Sequence, residues 1–339
     1  MRIKWGIVGP GEIAGRSVAP ALKKSSRCEL YSVCGRSLAT AQAFAQKWGA
    51  ARAFGSLDEF LDDPALDAVY IATPNSLHAE QTVRAAKMRK HVLCEKPMAT
   101  SVADAERMIA ACKENDVKLG VVFQNRYHAA HARAREIIAS GALGEIQFVS
   151  AQLCRGFQRG RWTGWRNDPV VSGAGAIVAQ SVHPIDLLRF LLGREVVKIQ
   201  GMSDRIPPTR PVEEMVYATL LFEDAIHASV VAGQLLPRYD NDIFVYGSKA
   251  KIVLKGSLGV PLDNRDGELI VEGAGSFDGV ERFPTHSVAD KLTKLVEDFS
   301  SCITHDQEVQ VSGQNGLQMV KIAACLQEAC RTGRAVDIG

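Results

Sequence analysis

The sequence predicts an α/β fold: a doubly wound parallel sheet over residues 1–123, then a separate strand-rich domain over residues 124–339. Three observations carry this. Short apolar runs alternate with helical patterns through the first third, which is the signature of a parallel sheet. A glycine turn joins the first apolar run to the first helix. From residue 146 onward, strand signals follow one another with little helix between them, as in a distinct domain.

Ile3–Val8 has the length and apolarity of a buried strand. It runs into Gly9-Pro10-Gly11-Glu12-Ile13-Ala14 and then a helical pattern. Strand, G-x-G-x-x-A and helix in that order match the dinucleotide-binding turn. Gly9 permits the tight turn, Gly11 lets the backbone approach a pyrophosphate, and Ala14 keeps helix and strand close. The first-turn N–H groups of Glu12 and Ile13 and the helix dipole then favour phosphate. The competing reading is a glycine-rich turn that binds nothing.

The second strand spans 29–34 and ends in Cys34-Gly35-Arg36-Ser37. An NAD binder usually places an acidic residue here for the ribose 2′-hydroxyl. None is present. Arg36 suits a 2′-phosphate, since its planar fork matches phosphate oxygens, and Ser37 adds a hydrogen-bond donor. The expectation is NADP, with NAD disfavoured. Arg36 as a solvated turn residue is the alternative.

Helix 39–48 follows, then a short helix opened by Ser56 as N-cap with Glu59 completing a capping box. Strand 67–72 ends in Thr73-Pro74-Asn75-Ser76-Leu77-His78, helix 79–88 follows, and strand 91–94 ends in Glu95-Lys96-Pro97. Helix 101–114 and strand 118–123 complete the sheet. Ligands of open α/β sheets sit beyond the carboxyl ends of the strands. Lys96 stands at such an end, flanked by proline. A surface lysine in an ordinary turn is the plain alternative.

Composition sets bounds. A chain of 339 residues, 46% apolar and 23% charged, has room for two proper cores. A net charge of +2 gives no case for nucleic acid or membrane as a bulk partner. The opening Met1-Arg2-Ile3-Lys4-Trp5-Gly6 enters a strand directly and reads as no signal peptide. The eight cysteines form no C-x-x-C pair, so a zinc site is not indicated and a reducing cytoplasm is expected.

In the second half, residues 126–138 read as an amphipathic helix closed by Ser140-Gly141. Strand signals follow at 146–154, 196–202, 215–222, 225–233, 242–245, 249–254 and 268–271. Helices at 288–301 and 313–331 are expected to cover that second sheet. The loop 155–165 carries Arg155, Arg159, Arg161, Trp162 and Trp165. Tryptophan against a sugar face with arginines toward hydroxyls or an anion is one reading. A basic loop or a subunit contact is the other.

The N-terminal G-x-G-x-x-A, Thr73-Pro74-Asn75-x-x-His78 and Glu95-Lys96-Pro97 together resemble the Gfo/Idh/MocA oxidoreductase family. The likeness continues through 123–127, 141–146, Trp165-Arg166 and His183-Pro184-Ile185-Asp186. The resemblance implies an N-terminal Rossmann domain and a C-terminal α+β domain with a large, mostly antiparallel open sheet that binds substrate and a second copy of the chain. It implies that Lys96 is catalytic and that Thr73, Pro74, Asn75 and His78 line the cofactor. Gly35, Glu95 and Arg166 join them there.

His183 is expected to be a second catalytic group, with Arg126, Arg155, Trp165 and Gln180 toward substrate. Relatives commonly carry Asp-x-Gly-x-His before that histidine; here the aspartate position is Ala179 and the glycine is Ser181. Gln180, the substrate or water is left to fill the gap. A core histidine paired with Asp186 is the competing reading of His183.

The implied chemistry is NADP-dependent hydride transfer to or from a secondary alcohol or ketone of a sugar, polyol or related cyclic alcohol. Lys96, its pKa lowered by burial and by a cationic ring, would handle the hydroxyl proton. Redox-neutral glycoside cleavage with retained cofactor and a non-catalytic NADP-binding regulator are the alternatives.

Overall fold

The apolar runs of the first third pair edge to edge, because a strand buried on both faces must satisfy its backbone within the sheet. The computed structural model describes residues 2–157, 160, 162–204, 211–236, 241–259, 266–284 and 287–339. The chain divides into two units, one of residues 1–124 and 288–320, the other of residues 125–287 and 321–339.

The first unit is built on β1 (Ile3–Val8), with a π-helical turn (Ala14–Val18) leading into α1 (Ala19–Lys24). Then come β2 (Cys28–Cys34), α2 (Leu38–Trp48), β3 (Arg52–Phe54) and α3 (Leu57–Leu61). β4 (Ala68–Ile71), α4 (His78–Lys87), β5 (His91–Cys94), α5 (Val102–Glu114) and β6 (Leu119–Val121) complete it. The strand order is β3-β2-β1-β4-β5-β6, every pair parallel. The order reverses between β1 and β4, so the switch-point crevice opens where Gly9 and Thr73 begin their loops.

The second unit holds α6 (Ala129–Ala139), β7 (Ile146–Cys154), α7 (Pro169–Ser172), a π-helical turn (Ile177–Ser181) and α8 (Val182–Leu192). Next are β8 (Val196–Ser203), β9 (Met215–Phe222) and β10 (His227–Gly233). β11 (Ile243–Gly247), β12 (Lys251–Lys255), β13 (Gly267–Glu272) and β14 (Gly279–Phe283) follow. The nine-stranded sheet runs β14-β13-β12-β11-β7-β10-β9-β8-β15, where β15 is Val336–Asp337. Only the β7–β10 pair is parallel. Val149, Ala151 and Leu153 of β7 are buried, and α8 packs on this strand and on β10. Along the alternate positions, Phe148, Tyr217, Tyr246 and Met202 are exposed. Phe148, Tyr246 and Phe244 stack in a row, with centroids 6.1 and 6.3 Å apart.

Three expectations need correction. The helix expected at 288–301 is α9 (Val288–Thr304), and it belongs to the first unit rather than over the second sheet. Its Phe299 meets Trp5 at 5.6 Å, and Ser300 accepts the Trp5 indole hydrogen bond at 3.1 Å. A Cβ on Gly120 would come within 2.8 Å of the Phe299 ring, so glycine lets the helix seat there. The first part of α10 (Gly313–Thr332) groups with that unit too, where Gly316 leaves room for Met98 and Val121. Next, Ser56 occupies an N-cap position but makes no capping bond. Finally, the helix expected from residue 126 starts at Ala129, because the His128 imidazole caps it by accepting the Ala130 N–H at 3.2 Å. Arg126 lies in the preceding 3-10 turn, Gln124–Tyr127.

Candidate active site

In the first unit the glycine turn has the shape that a dinucleotide requires. Gly9 has φ of +90°, and a Cβ there would stand 2.8 Å from the Thr73 methyl and 3.0 Å from the Ala72 carbonyl. Any side chain would push β1's loop off β4's loop. A Cβ on Gly11 would meet nothing within 4 Å, so that side of the turn is open for a phosphate to approach the backbone. Pro10 packs on the other wall, 3.3 Å from where a Gly35 Cβ would lie. Glu12 directs its carboxylate to Arg16 at 3.4 Å, and Ile13 starts the helix. The residues present therefore fit a dinucleotide, held by backbone N–H groups at a helix start.

At the end of β2, Arg36 is exposed and makes no hydrogen bond or ion pair among the described residues. Ser37 does something other than expected. Its hydroxyl caps α2, accepting the Thr40 N–H at 3.3 Å and pairing with the Thr40 hydroxyl at 2.9 Å. Capping engages the Ser37 oxygen as an acceptor, and the Arg36 guanidinium has its donors available for a phosphate.

The next two strand ends are joined by one side chain. His78 is completely buried, and its Nδ1 lies 2.9 Å from the Pro97 carbonyl while Nε2 lies 3.0 Å from the Thr73 carbonyl. The enclosed ring thereby sits between the loop Thr73-Pro74-Asn75 and the turn Glu95-Lys96-Pro97. Thr73 donates its hydroxyl to Gln81 at 2.6 Å, and Asn75 is buried. Burial lowers the His78 pKa; the two carbonyls pull the other way without overcoming it. The imidazole is therefore neutral, and one nitrogen donates.

Glu95 is held in turn. Tyr70, fully buried in β4, donates its hydroxyl to Glu95 at 2.8 Å, and the other carboxylate oxygen accepts the Lys96 N–H at 3.2 Å. Burial and the neighbouring carboxylate push the Tyr70 phenol well above its ordinary pKa, so it stays a donor. Sequence reasoning missed Tyr70. A tyrosine inside an otherwise aliphatic buried strand is the available signal, since a buried hydroxyl must find a partner. Lys96 itself is half-buried, and the Lys96–Pro97 peptide is cis.

In the second unit, His183 and Gln180 are buried where the π-helical turn passes into α8. Arg126 departs from the substrate role expected for it. Its guanidinium grips Asp186 with two bonds, 2.9 and 2.5 Å long, and both side chains are nearly enclosed. Asp186 thus anchors α8 to the 3-10 turn at 124–127 and is not simply the partner of His183. Arg166 lies 4.5 Å over the Trp165 ring, a cation–π pair on the turn Gly164–Asn167. Arg155 is exposed at the end of β7; Arg159 and Arg161 fall outside the described residues.

Glu213 and Glu214 were not anticipated. The Glu213 carbonyl accepts the Ala176 N–H at 2.9 Å and its carboxylate accepts the Ile177 N–H at 2.8 Å, so it caps the turn that carries Gln180. Burial raises the Glu213 pKa. Glu214 accepts the Gly160 N–H. Two adjacent acids opening an apolar strand were the signal.

Comparison with known proteins agrees with this layout. A family model described as "Oxidoreductase family, NAD-binding Rossmann fold" matches residues 3–123, and one described as "GFO/IDH/MocA C-terminal domain" matches residues 131–253. The chain is 28% identical to the 1,5-anhydro-D-fructose reductase of Ensifer adhaerens over 99% of its length and 98% of the relative's. It is 27% identical to the NADP-dependent D-xylose 1-dehydrogenase of Haloarcula marismortui, covering 99% and 93% of the two chains. The crystal structure of an aldose-aldose oxidoreductase from Caulobacter crescentus, complexed with glycerol, superposes with a TM-score of 0.88. It is 26% identical, with 99% and 100% of the two chains covered.

The state of His78 has a measurable consequence. Its folded pKa lies below the ordinary 6.5, so the unfolded chain binds a proton that the folded chain refuses. Stability contributed at neutral pH is lost as pH falls through 6.5. Denaturant midpoints measured from about pH 7.5 to about pH 5 should fall more steeply for the parent than for His78→Gln. His91 shifts the same way in both proteins and cancels in the difference. Parallel curves would contradict a buried neutral His78.

Proposed function

Because the chain belongs to the Gfo/Idh/MocA oxidoreductase family, we propose that it moves hydride between NADP and a secondary alcohol or ketone of a sugar, polyol or related cyclic alcohol. That it is an NAD(P)-dependent oxidoreductase follows from the family. The observation that carries the finer reading is the His78 bridge. Its ring lies between the carbonyls of Pro97, next to Lys96, and of Thr73, whose loop meets the glycine turn at the switch point of the sheet, which supports this reading. Both curated relatives are named for sugar chemistry, which supports a sugar-like substrate.

In this reading residues 1–123 hold the cofactor, and residues 124–339 supply most substrate contacts. The turn Gly9-Pro10-Gly11-Glu12-Ile13 offers N–H groups to the pyrophosphate, and Gly35 with Arg36 meets the adenosine end. Thr73, Pro74, Asn75, Glu95 and Arg166 frame the nicotinamide end. Bound there, the cofactor accepts or gives the hydride. Lys96 takes the hydroxyl proton in oxidation and returns it in reduction. Tyr70 keeps Glu95 oriented, and Glu95 bonds the Lys96 N–H. His183 bonds the substrate oxygen. All eight cysteines are unpaired thiols, which a reducing compartment preserves, and we place the protein in the cytoplasm.

Lys96→Ala should lower kcat about 10²–10⁴-fold with NADPH affinity retained, the range for losing a general acid–base group. Turnover within a few-fold of the parent removes Lys96 from the chemistry.

The NADP preference rests on Arg36 and on the acid missing from the end of β2. Arg36→Ala should weaken NADP about tenfold or more, the worth of one charge-assisted bond, and leave NAD nearly unchanged. Tighter binding of NAD than NADP by the parent overturns the preference.

The exposed row of Phe148, Tyr217 and Tyr246 on the nine-stranded sheet is the proposed contact with a second copy of the chain. Aromatic residues are enriched at such interfaces. Light scattering should give a multiple of the 36.7 kDa chain mass, and Phe148→Glu with Tyr246→Glu should return it to 36.7 kDa. A monomeric parent excludes this interface.

A further inference from the structure

We propose that Gln180 and Gln234 are a pair of hydroxyl-reading amides in the substrate site, and that the substrate is a neutral polyhydroxylated molecule rather than a phosphorylated or carboxylated one. The inference rests on the sugar-directed reading above and deepens it.

Both side chains are fully enclosed, at 1% and 0% exposure. In each, the amide nitrogen and the amide oxygen have no hydrogen-bond partner among the described residues. Burying an amide without partners is unfavourable, and leucine or methionine would fill the same volume at no such penalty. Two wholly unpartnered amides therefore point to hydrogen-bonding groups that the chain does not itself supply.

The two glutamines belong to one structural knot. Gln180 sits on the π-helical turn that packs against β10, and Gln234 follows the last residue of β10. Glu213 bonds the backbone of the turn at Ala176 and Ile177, while its neighbour Glu214 accepts the Gln234 N–H at 2.9 Å. Two adjacent residues just before β9 thus hold both amide-bearing segments. Local π-helix is itself frequent at functional sites.

The ligand class follows from the groups available. An amide offers donors and an acceptor together, which is what a hydroxyl needs and a phosphate does not. Among the described residues, the two arginines at α8 are engaged by carboxylates, Arg126 with Asp186 and Arg189 with Glu195 by two bonds of 2.6 Å. Glu213 adds a buried carboxyl to the same turn, which disfavours an anionic guest. With Ala179 in place of a carboxylate, neutral amides join the imidazole of His183 as the recognition chemistry of this turn.

The test uses the full chain with NADP bound. Calorimetry measures binding of neutral aldoses and polyols, their deoxy analogues, and the matching sugar phosphates and uronates. The same panel is assayed for turnover. Neutral compounds should bind best. Gln180→Leu and Gln234→Leu should each weaken the preferred compound about tenfold or more, while NADP affinity is unchanged and Tm holds or rises. The parent should prefer the sugar over one deoxy analogue, and the matching variant should lose that preference.

Equal affinity of parent and variants, or a fallen Tm in both, overturns the proposal, since the amides then serve internal water or the fold. Preference for phosphates or uronates overturns the ligand class. Binding as expected without turnover supports the amide pair and counts against the hydride-transfer reading instead.

Discussion

One buried imidazole sets the architecture of the first unit's working edge. His78 faces two main-chain carbonyls, one after β4 and one after β5, from a site with no exposure to solvent. Unpaired buried backbone oxygens would destabilise both loops. The neutral histidine donates to one of them and packs against the other, so a single enclosed ring lies between the two loops. The strands beneath are adjacent and parallel, so their register fixes where the loops start. Gly9 adds the third strand end, seated against Thr73 with no space for a side chain. Position at this edge is thus set by covalent geometry and packing. That is the condition under which electrostatic preorganisation is effective, because little rearrangement is left for the reaction step.

The second unit achieves rigidity by different means. Its helix α8 is anchored by the enclosed Arg126–Asp186 pair, and Arg189 in the same helix grips Glu195. The enclosed Arg126–Asp186 pair adds little net stability, since desolvation offsets attraction; removing one partner of such a pair costs about 3–5 kcal/mol because the other charge is stranded. Their effect is orientation. Together with the Glu213 cap, they fix the turn and helix that present Gln180 and His183. The same arrangement commits the Nε and Nη2 edge of Arg126 to Asp186, although its position in the family's motif suggested a substrate contact.

Much of the first unit could be read in the sequence because its signals are local. Apolar runs of strand length, glycine spacing and the Thr-Pro-Asn and Glu-Lys-Pro turns each report on a few neighbouring residues. The open antiparallel sheet was legible through the family resemblance and the run of strand signals. What was missed depends on partners distant in sequence. An amphipathic helix such as α9 shows that it has a face to bury, but not which sheet receives it; Trp5 and Gly120 decide that, over a separation of some 180–295 residues. Ser37 shows the same limit at short range. Its hydroxyl suits a phosphate or a helix cap equally well, and Thr40, three residues on, makes the difference. Tyr70, Glu213 and Gln234 are polar residues in apolar surroundings, and only their packed environment reveals what each one bonds or leaves unbonded.

The substitution at residue 179 divides the chemistry between groups that titrate and groups that do not. A carboxylate in that position can both bond a substrate hydroxyl and exchange a proton. Alanine does neither, and an amide such as that of the adjacent Gln180 is capable only of the first function, because it neither gains nor loses a proton in the pH range of an enzyme. In the proposed reading, proton transfer falls to the Lys96 amine and the His183 imidazole, and the amides add recognition by neutral dipoles. Neutral recognition has a further effect on selectivity. Enclosed amides reject a ligand that lacks the matching hydroxyl, since they would stay unpaired, and they reject an anion that finds no counter-charge. A site arranged in this way selects by the pattern of hydroxyls around a ring, and its discrimination should depend weakly on salt, because no long-range charge attraction draws the ligand in.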